Sequence, residues 1–241
     1  MPKSKFEQIY KDLKRKIESQ EYQFQELLPS ENTMVGIYDC SRNTVRRAIA
    51  SLIEQGYVQS QQGKGVRIIY QPADQTSFTI AGIESFKESA ARNNRKAKTE
   101  VIQFTEIIAD ARITARTGFP AGSELYYIQR VRYLDGKALI LDINLFLKSV
   151  VPGLTKQIAK QSIYEYIEKE LNMAIITSKR KMTVEHTTEI DEKYLELNDY
   201  NCLAVITGQT YNADGIMFEY TQSRHHPDHF CFQDTAVRKH E

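Results

Sequence analysis

The spacing of apolar residues predicts three helices and a hairpin at the start of the chain. Apolar side chains recur at helical spacing in residues 5–19, and Ser30 and Ser41 are good N-caps for two further helices. Two short strand-like runs follow around a glycine-bearing turn, and this order of elements is typical of a winged helix-turn-helix. The predicted helices are 5–19, 31–38 and one from Ser41 to before Gly56, and the predicted strands are 57–61 and 66–69.

A polar stretch separates this region from the rest of the chain. Residues 70–77 contain a proline and no apolar periodicity, which is typical of a linker between domains. The sequence therefore predicts a first domain over residues 1–70, a linker over 71–77 and a second domain over 78–241.

The second region mixes strand and helix patterns. The dipeptides Asp135-Gly136 and Asp214-Gly215 are hairpin signals, so neighbouring strands are expected to be antiparallel. This predicts an α+β domain built on an antiparallel sheet rather than a doubly wound parallel sheet. The predicted strands are 99–108, 124–134, 138–147, 174–185, 203–211, 216–223 and 230–237, and the predicted helices are 84–94, 109–117, 150–159, 162–171 and 191–197.

Composition excludes some classes of protein. The 241 residues contain no run of about 18 apolar residues that could span a bilayer, and the polar start lacks the apolar middle of a secretory signal. The expected location is therefore the cytoplasm, with no membrane partner. The cysteines Cys40, Cys202 and Cys231 form no C-x-x-C pair, which disfavours a disulfide framework or a thiolate zinc site.

Charge is distributed unevenly, although the net charge is only +1. Lys and Arg outnumber Asp and Glu by 11 to 8 in residues 1–70, and number 21 against 23 in the remainder. The small excess at the front is compatible with a nucleic-acid partner without pointing to one.

The third predicted helix carries the side chains that a DNA groove requires. Asn43 and Arg46 fall opposite the apolar stripe, together with Arg47 and Ala50. Arg can bind guanine and Asn adenine through paired hydrogen bonds, whereas serine and threonine hydroxyls at a helix start suit phosphates. Taken alone, the same face is equally compatible with a solvated surface on an ordinary three-helix bundle.

The order of these residues resembles the DNA-binding domain of the GntR family of bacterial regulators. Leu28-Pro-Ser-Glu31 is followed by Ser41-Arg-Asn-Thr-Val-Arg-Arg-Ala48, and then by Gly63-Lys-Gly65. The resemblance implies a homodimer that binds double-stranded operator DNA at an inverted repeat. Asn32 stands where many members carry a basic residue, so a charged contact there is not carried over. The expected DNA-binding residues are Ser30, Ser41, Arg42, Asn43, Thr44, Arg46, Gln62, Gly63 and Lys64.

Residues 78–238 resemble the UTRA effector-binding domain of the HutC branch of that family, which has a chorismate-lyase-like fold. The segments that carry the resemblance are 83–88, 162–166 and 219–225. It implies a repressor that a sugar-phosphate effector releases from its operator. The three segments together, and especially the last, most resemble the members in which trehalose 6-phosphate relieves repression. An amino-sugar phosphate or urocanate remains an alternative. The expected effector-binding residues are Ser85, Phe86, Arg130, Arg132, Asp142, Ser162, Tyr164, Glu219, Arg224 and His225.

The chemistry of several of these residues suits an anionic sugar. Arg130 and Arg132 alternate on one strand face, where two guanidinium groups could converge on a phosphate. Ser162 heads a helix that could attract an anion, although its S-x-x-E spacing with Glu165 also suits an ordinary capping box. Asp142 interrupts an apolar run and shares the arginine face only if the 135–136 hairpin has an odd-length loop, so we expect a three-residue loop.

Two other functions are weaker alternatives. His225, His226, His229 and Cys231 are dense in ligand atoms but lie near a turn at an expected sheet edge, so no metal is predicted and His225 is expected to face the effector. An enzyme is disfavoured because the sequence contains no nucleophile elbow, metal motif or phosphate loop. No cofactor is expected.

Overall fold

The structure, a computed structural model, describes residues 4–71 and 83–232, which belong to two compact units. The first unit contains three helices followed by a two-stranded antiparallel hairpin, as predicted. Its elements are α1 (Lys5–Glu18), α2 (Glu31–Tyr38), α3 (Arg42–Glu54), β1 (Val58–Gln61) and β2 (Gly65–Ile68). Residues 72–77 of the predicted linker lie outside the described residues.

The first unit is held by apolar side chains at the predicted spacing. Ile9 and Leu13 of α1 pack with Val45 and Leu52 of α3 in one buried cluster. Each of the two later helices begins with a serine cap: Ser30 Oγ accepts from Thr33 N–H at 3.1 Å, and Ser41 Oγ accepts from Thr44 N–H at 3.2 Å. These caps and this core fix α3 with its polar side turned outward.

The second unit is built on a six-stranded antiparallel sheet with the order β3-β4-β5-β8-β7-β6. The sheet confirms the α+β prediction, because each pair of neighbours runs antiparallel. The strands are β3 (Ala97–Ile108), β4 (Glu124–Leu134), β5 (Lys137–Leu147), β6 (Ile175–His186), β7 (Cys202–Asn212) and β8 (Met217–His225).

Short helices cover both faces of this sheet. Apolar residues of α6 and α7 pack with Ile128 and Phe146 on one face, whereas residues after α8 pack with Val131 and Leu141 on the other. The helices are α4 (Phe86–Arg92), α5 (Ala111–Thr117), α6 (Lys156–Lys160), α7 (Ile163–Lys169) and α8 (Glu189–Tyr194). No helix of the described residues has the length and apolar character needed to cross a membrane.

The hairpin between β4 and β5 corrects one prediction and confirms its consequence. The loop has two residues, Asp135 and Gly136, both left-handed with φ of 49° and 87°, so the expected three-residue loop is wrong. A β-bulge supplies the odd residue instead: Arg132 pairs with Ile140 while Tyr133 pairs with Ala138. Arg130 therefore lies directly opposite Asp142, on the same face.

Three other predicted elements differ from the structure. The helix predicted over 191–197 lies at Glu189–Tyr194. The helix predicted over 150–159 reduces to Lys156–Lys160, since residues 150–153 form turns. The strand predicted over 230–237 is absent from residues 230–232, which follow a 3₁₀ turn at Pro227–His229, and residues 233–237 lie outside the described part. The expected edge position is also wrong for His225, because this residue ends β8, which lies inside the sheet between β5 and β7.

Candidate functional site

The outward side of α3 presents the predicted groove-reading residues. Arg42 and Asn43 in the first turn and Arg46 one turn later are all exposed, whereas Thr44 is half-buried beside the cap. Ser30 and Ser41 are exposed N-caps whose hydroxyl oxygens already accept backbone N–H groups. The arrangement leaves the arginines and the asparagine as the side chains that can extend to base edges.

Arg47 lies away from that set. Its guanidinium carbon sits 4.7 Å from the centroid of the Phe6 ring on α1, in cation–π contact. Arg47 is exposed, as its predicted place on the polar face requires, but its guanidinium group lies against α1.

A carboxylate from α2 contacts the exposed arginines. Arg46 Nε donates to both carboxylate oxygens of Glu31 at 3.0 Å, and Arg42 Nε lies 3.9 Å from Glu31 Oε2. Arg42 also donates through Nη2 to the side-chain oxygen of Asn32. The hydrogen bond and the charge of Glu31 raise the pKa of Arg46. No role was predicted for Glu31, although it is the last residue of the Leu28-Pro-Ser-Glu31 motif.

The wing ends in a three-residue loop between β1 and β2. Gln62, Gly63 and Lys64 are exposed, and Gly63 adopts a left-handed φ of 72° that a side chain would strain. Lys64 is thus displayed at the tip of the hairpin, where it can approach a DNA backbone.

The second unit contains a cavity of about 450 Å³ between the sheet and the ends of α4 and α7. Nine of the ten predicted effector-binding residues line it; the exception is Arg224. The lining residues that were predicted are Ser85, Phe86, Arg130, Arg132, Asp142, Ser162, Tyr164, Glu219 and His225.

Strand register explains how these residues converge. Arg130, Asp142 and Ser223 are direct cross-strand neighbours on β4, β5 and β8. The neighbouring row toward one end brings Arg132 and His225 beside Ile140. Because side chains alternate along a strand, every second residue of three adjacent strands faces the same cavity.

One end of the cavity holds a buried ion pair. Arg132 Nε donates to Asp142 Oδ2 at 2.7 Å, and Ser223 Oγ donates to Asp142 Oδ1 at 2.6 Å. Burial acts to raise the pKa of Asp142, but the charges of Arg132 and Arg130 outweigh it and hold the pKa below the ordinary value. Asp142 is therefore ionised at neutral pH, and Arg132 is additionally fixed over the Phe86 ring at 5.0 Å.

The other end pairs an acid with a phenol. Tyr164 donates to Glu219 Oε2 at 2.6 Å, and Asn144 donates to Glu219 Oε1 at 3.3 Å while accepting from Arg130 Nη2 at 2.8 Å. Burial raises the pKa of Glu219 despite these contacts. Burial and the neighbouring Arg132 lower the pKa of Arg130 to about 9, so its guanidinium remains charged at neutral pH.

His225 supplies an uncharged polar group. It is 6 % exposed, and its Nε2 has no hydrogen-bond partner among the described residues. Burial lowers the pKa of His225 to about 4, so the imidazole is neutral at physiological pH. A ligand hydroxyl or phosphate could satisfy this nitrogen, which is costly to leave unpaired in a folded protein.

The two helix starts at the cavity are capped by their own serines. Ser85 Oγ accepts from Glu88 N–H at 3.2 Å and the Glu88 carboxylate accepts from Ser85 N–H, which is a complete capping box. Ser162 Oγ accepts from Glu165 N–H at 3.3 Å. Glu165 bonds Lys87 and Lys169 through its carboxylate oxygens, so the capping box considered for Ser162 is only half formed.

Arg224 was predicted to bind the effector, but it does not line the cavity. It points to the opposite face of β8, where its guanidinium donates to Asp191 at 2.8 Å and to Glu185 at 2.7 Å. Burial acts to lower the pKa of Arg224, but these two carboxylates outweigh it and raise the pKa. The reason is strand alternation: a residue adjacent to His225 must face the other way.

Several lining residues were missed, and alternation from the predicted residues would have revealed three of them. Counting in twos from Asp142 reaches Asn144, and counting in twos from Glu219 reaches Thr221 and Ser223. Others come from the remaining strands and helix ends and had no comparable signal. These residues are Lys87, Thr99, Lys160, Gln161, Ser178, Arg180 and Thr210.

Among the described residues, His, Cys, Asp and Glu side chains form no cluster of three or more that could hold a metal ion. His226 instead contacts the Glu196 carbonyl through Nε2 at 3.0 Å and accepts from Asp228 N–H. Both ring nitrogens of His226 are thus engaged by the backbone.

Comparison with known proteins identifies both units. Residues 5–68 match the model of the gntR family of bacterial regulatory proteins, and residues 92–231 match the UTRA domain. The chain is 35 % identical over 238 residues to the HTH-type transcriptional regulator TreR of Bacillus subtilis, covering 99 % of each. It is 24 % identical over 236 residues to the regulator GmuR of the same organism, covering 98 % of this chain and 100 % of GmuR.

Solved structures agree with this assignment. The possible transcriptional regulator YydK of Bacillus subtilis has the same fold, with a TM-score of 0.82, 20 % identity and coverage of 97 % of this chain and 100 % of that one. The effector-binding domain of the B. subtilis trehalose repressor matches 59 % of this chain and 99 % of its own length, with 34 % identity and a TM-score of 0.54. These matched families and relatives are regulators rather than enzymes, and this chain belongs to the GntR family of transcriptional regulators, with a UTRA domain as its second unit.

Proposed function

We propose that this regulator is a repressor that reads its operator with α3 and the wing. The observation that carries the proposal is the exposed row of Arg42, Asn43 and Arg46 on a helix whose opposite side is the buried core. Those side chains have the hydrogen-bonding groups that distinguish guanine and adenine in the major groove. The Lys64 tip adds a backbone contact that carries no sequence information.

Selection from random duplexes tests DNA recognition and does not require the operator sequence. The full chain, incubated with a pool of random-sequence duplexes, is expected to enrich a family of sequences with dyad symmetry. Binding to the enriched duplex should weaken steeply with salt, because phosphate contacts release counterions. A chain that enriches no sequence at low ionic strength would contradict the proposal.

We propose that the ligand of the cavity is a sugar phosphate, with trehalose 6-phosphate as the first candidate, and that its binding lowers the affinity of the repressor for its operator. The cavity combines two charged arginines with two acids, an amide and hydroxyls, which suits an anion joined to several sugar hydroxyls. Its volume of about 450 Å³ is that of an ordinary small-molecule site. The similarity to TreR over 99 % of the chain favours trehalose 6-phosphate among sugar phosphates.

A thermal-shift panel separates the candidate effectors. The full chain is measured with trehalose 6-phosphate, trehalose, glucosamine 6-phosphate and urocanate at equal concentrations. A ligand that binds only the folded state increases the free energy of unfolding, by about 2.7 kcal/mol when its concentration is one hundred times its dissociation constant. The unfolding temperature rises accordingly. We expect the largest shift with trehalose 6-phosphate and little with trehalose. A larger shift with glucosamine 6-phosphate or urocanate would identify that compound as the effector instead, and the proposed DNA-binding function would be unaffected.

We propose a two-fold dimer for operator binding. Its support is the outer strand β6, which pairs on one side with β7 and exposes Ile176 (57 %) and Val184 (75 %). Exposed apolar side chains on an edge strand suit pairing with another chain. Light scattering should report a dimer, and Val184→Lys should shift it toward the monomer. An unchanged dimer in Val184→Lys would place the interface elsewhere.

A further inference from the structure

Glu31 is an acidic residue on the surface proposed to face DNA. Its carboxylate accepts from Arg46 Nε at 3.0 Å through both oxygens, and Arg42 Nε lies 3.9 Å away. A carboxylate near phosphates repels every duplex, so it lowers affinity for specific and non-specific DNA alike. Its position among the recognition arginines therefore needs a compensating effect.

Fold stability supplies little of that effect beyond the favourable interaction of an acidic first-turn residue with the helix dipole. The side chains of Arg46 and Glu31 are 59 % and 35 % exposed, and exposed ion pairs contribute little to folding. The cap of α2 is also provided by Ser30, whose oxygen accepts from Thr33 N–H. What the pair does is restrict the freedom of a long side chain.

The geometry of the contact leaves the reading edge of Arg46 open. A guanidinium has five N–H donors in a fixed plane, and Glu31 engages the one on Nε. The Nη1 and Nη2 groups remain available for the paired acceptors of a guanine. Arg42 differs in this respect, since its Nη2 group already donates to the side-chain oxygen of Asn32.

We infer that Glu31 is a positioning residue that holds Arg46 ready for base reading and so increases sequence discrimination while lowering affinity for DNA in general. The inference rests on the proposed DNA recognition by α3. Pre-ordering reduces the side-chain entropy lost on binding the correct sequence. A wrong sequence leaves the arginine without its base partner, so nothing offsets the repulsion between the carboxylate and the phosphates.

The test compares Glu31→Ala with Glu54→Ala in the full chain. Glu54 is an exposed carboxylate at the end of α3, so its removal changes net charge equally without touching the arginines. Affinities are measured by fluorescence anisotropy for two probes: the duplex enriched by the unaltered chain and a scrambled duplex of the same composition. Glu31→Gln, which keeps one acceptor oxygen, is expected to lie between Glu31→Ala and the unaltered chain.

Glu31→Ala is expected to bind the scrambled duplex more tightly and to lose about three- to tenfold in the ratio of enriched to scrambled affinity. A misfolded variant would instead lose affinity for both duplexes. Tighter binding of the scrambled duplex therefore distinguishes loss of positioning from misfolding. In an Arg46→Ala background, adding Glu31→Ala should leave the ratio unchanged.

Two results distinguish the positioning role of Glu31 from DNA recognition itself. If Glu31→Ala and Glu54→Ala discriminate equally well between the enriched and scrambled duplexes, the positioning role is overturned while DNA recognition stands. Failure of the unaltered chain to enrich any duplex would overturn the proposed function and this inference together.

Discussion

The two units use arginine in opposite ways. Arg46 on α3 is more than half exposed and contacts a single carboxylate at the surface, whereas Arg130 and Arg132 are about 5 % exposed and bonded on several sides. An exposed arginine can be offered to a large partner and costs little when that partner is absent. A buried arginine must keep internal partners, so a ligand that enters the cavity has to join or exchange existing bonds.

The largest expected effect tests this buried network. Asp142→Ala leaves Arg132 and Arg130 facing each other without their shared carboxylate, and should destabilise the fold by about 3–5 kcal/mol. Urea unfolding of the full chain measures the change. Glu168→Ala, which removes an exposed carboxylate on α7, serves as the control and should leave the midpoint in place. Equal midpoints for the two variants would mean that the cavity charges are solvated rather than mutually dependent.

His225 predicts a smaller effect that depends on pH. Burial lowers its pKa from 6.5 to about 4, so as pH falls between these values the unfolded chain takes up a proton that the folded chain refuses. Stability contributed by neutral His225 is thus lost toward acid pH, by about 3 kcal/mol. His225→Gln should flatten the pH dependence of the unfolding free energy, whereas His186→Gln, at an exposed site, should retain it. Retention of the full slope in His225→Gln would assign the acid lability to other groups.

Arg46 is expected to matter for DNA and not for the fold. Arg46→Ala should lose about tenfold or more in affinity for the enriched duplex while its unfolding curve is unchanged. Arg47→Ala removes the same charge from the same helix but from a side chain stacked on Phe6, and should lose less discrimination between enriched and scrambled duplexes. If Arg47→Ala loses more discrimination than Arg46→Ala, the two arginines have been assigned to the wrong surfaces.

The smallest effect is expected at an exposed ion pair of the second unit. Lys169 Nζ lies 2.7 Å from Glu165, but the two side chains are 70 % and 40 % exposed. Solvent screening should make the pair unimportant, so Lys169→Ala should not shift the thermal midpoint. A clear destabilisation would show that exposed and buried pairs in this unit differ less than their burial indicates.

The two units also differ in how far their sequences predict them. In the first, apolar spacing and serine caps place all three helices, because local signals and the core agree. In the second, the order of the strands and the bulge at β5 depend on contacts distant in sequence. Asp142 was therefore correctly predicted to share the face of Arg130, but from a three-residue loop that the structure does not contain. Only the strand register shows that Leu139 is the extra residue of the bulge.

The site residues follow the same division. Residue type identified Asp142, since a charged group inside an apolar strand must be exposed or paired. Arg130 was predicted from its alternation with Arg132, and His225 from the resemblance of segment 219–225 to the UTRA domain. Strand alternation, applied strictly, would have excluded Arg224 and added Asn144. Glu31 had no such signal, because an acidic residue at the start of a helix is ordinarily explained by the helix dipole.

The proposed regulation requires that a ligand in the cavity lower the affinity of α3 for DNA. Its most direct test is the affinity of the full chain for its enriched duplex, measured with and without saturating trehalose 6-phosphate. The ligand must favour the weakly binding state, and a coupling of about 1–3 kcal/mol corresponds to an affinity about 5- to 150-fold lower. Unchanged affinity, with calorimetry showing the sugar phosphate bound to the same protein, would contradict the account.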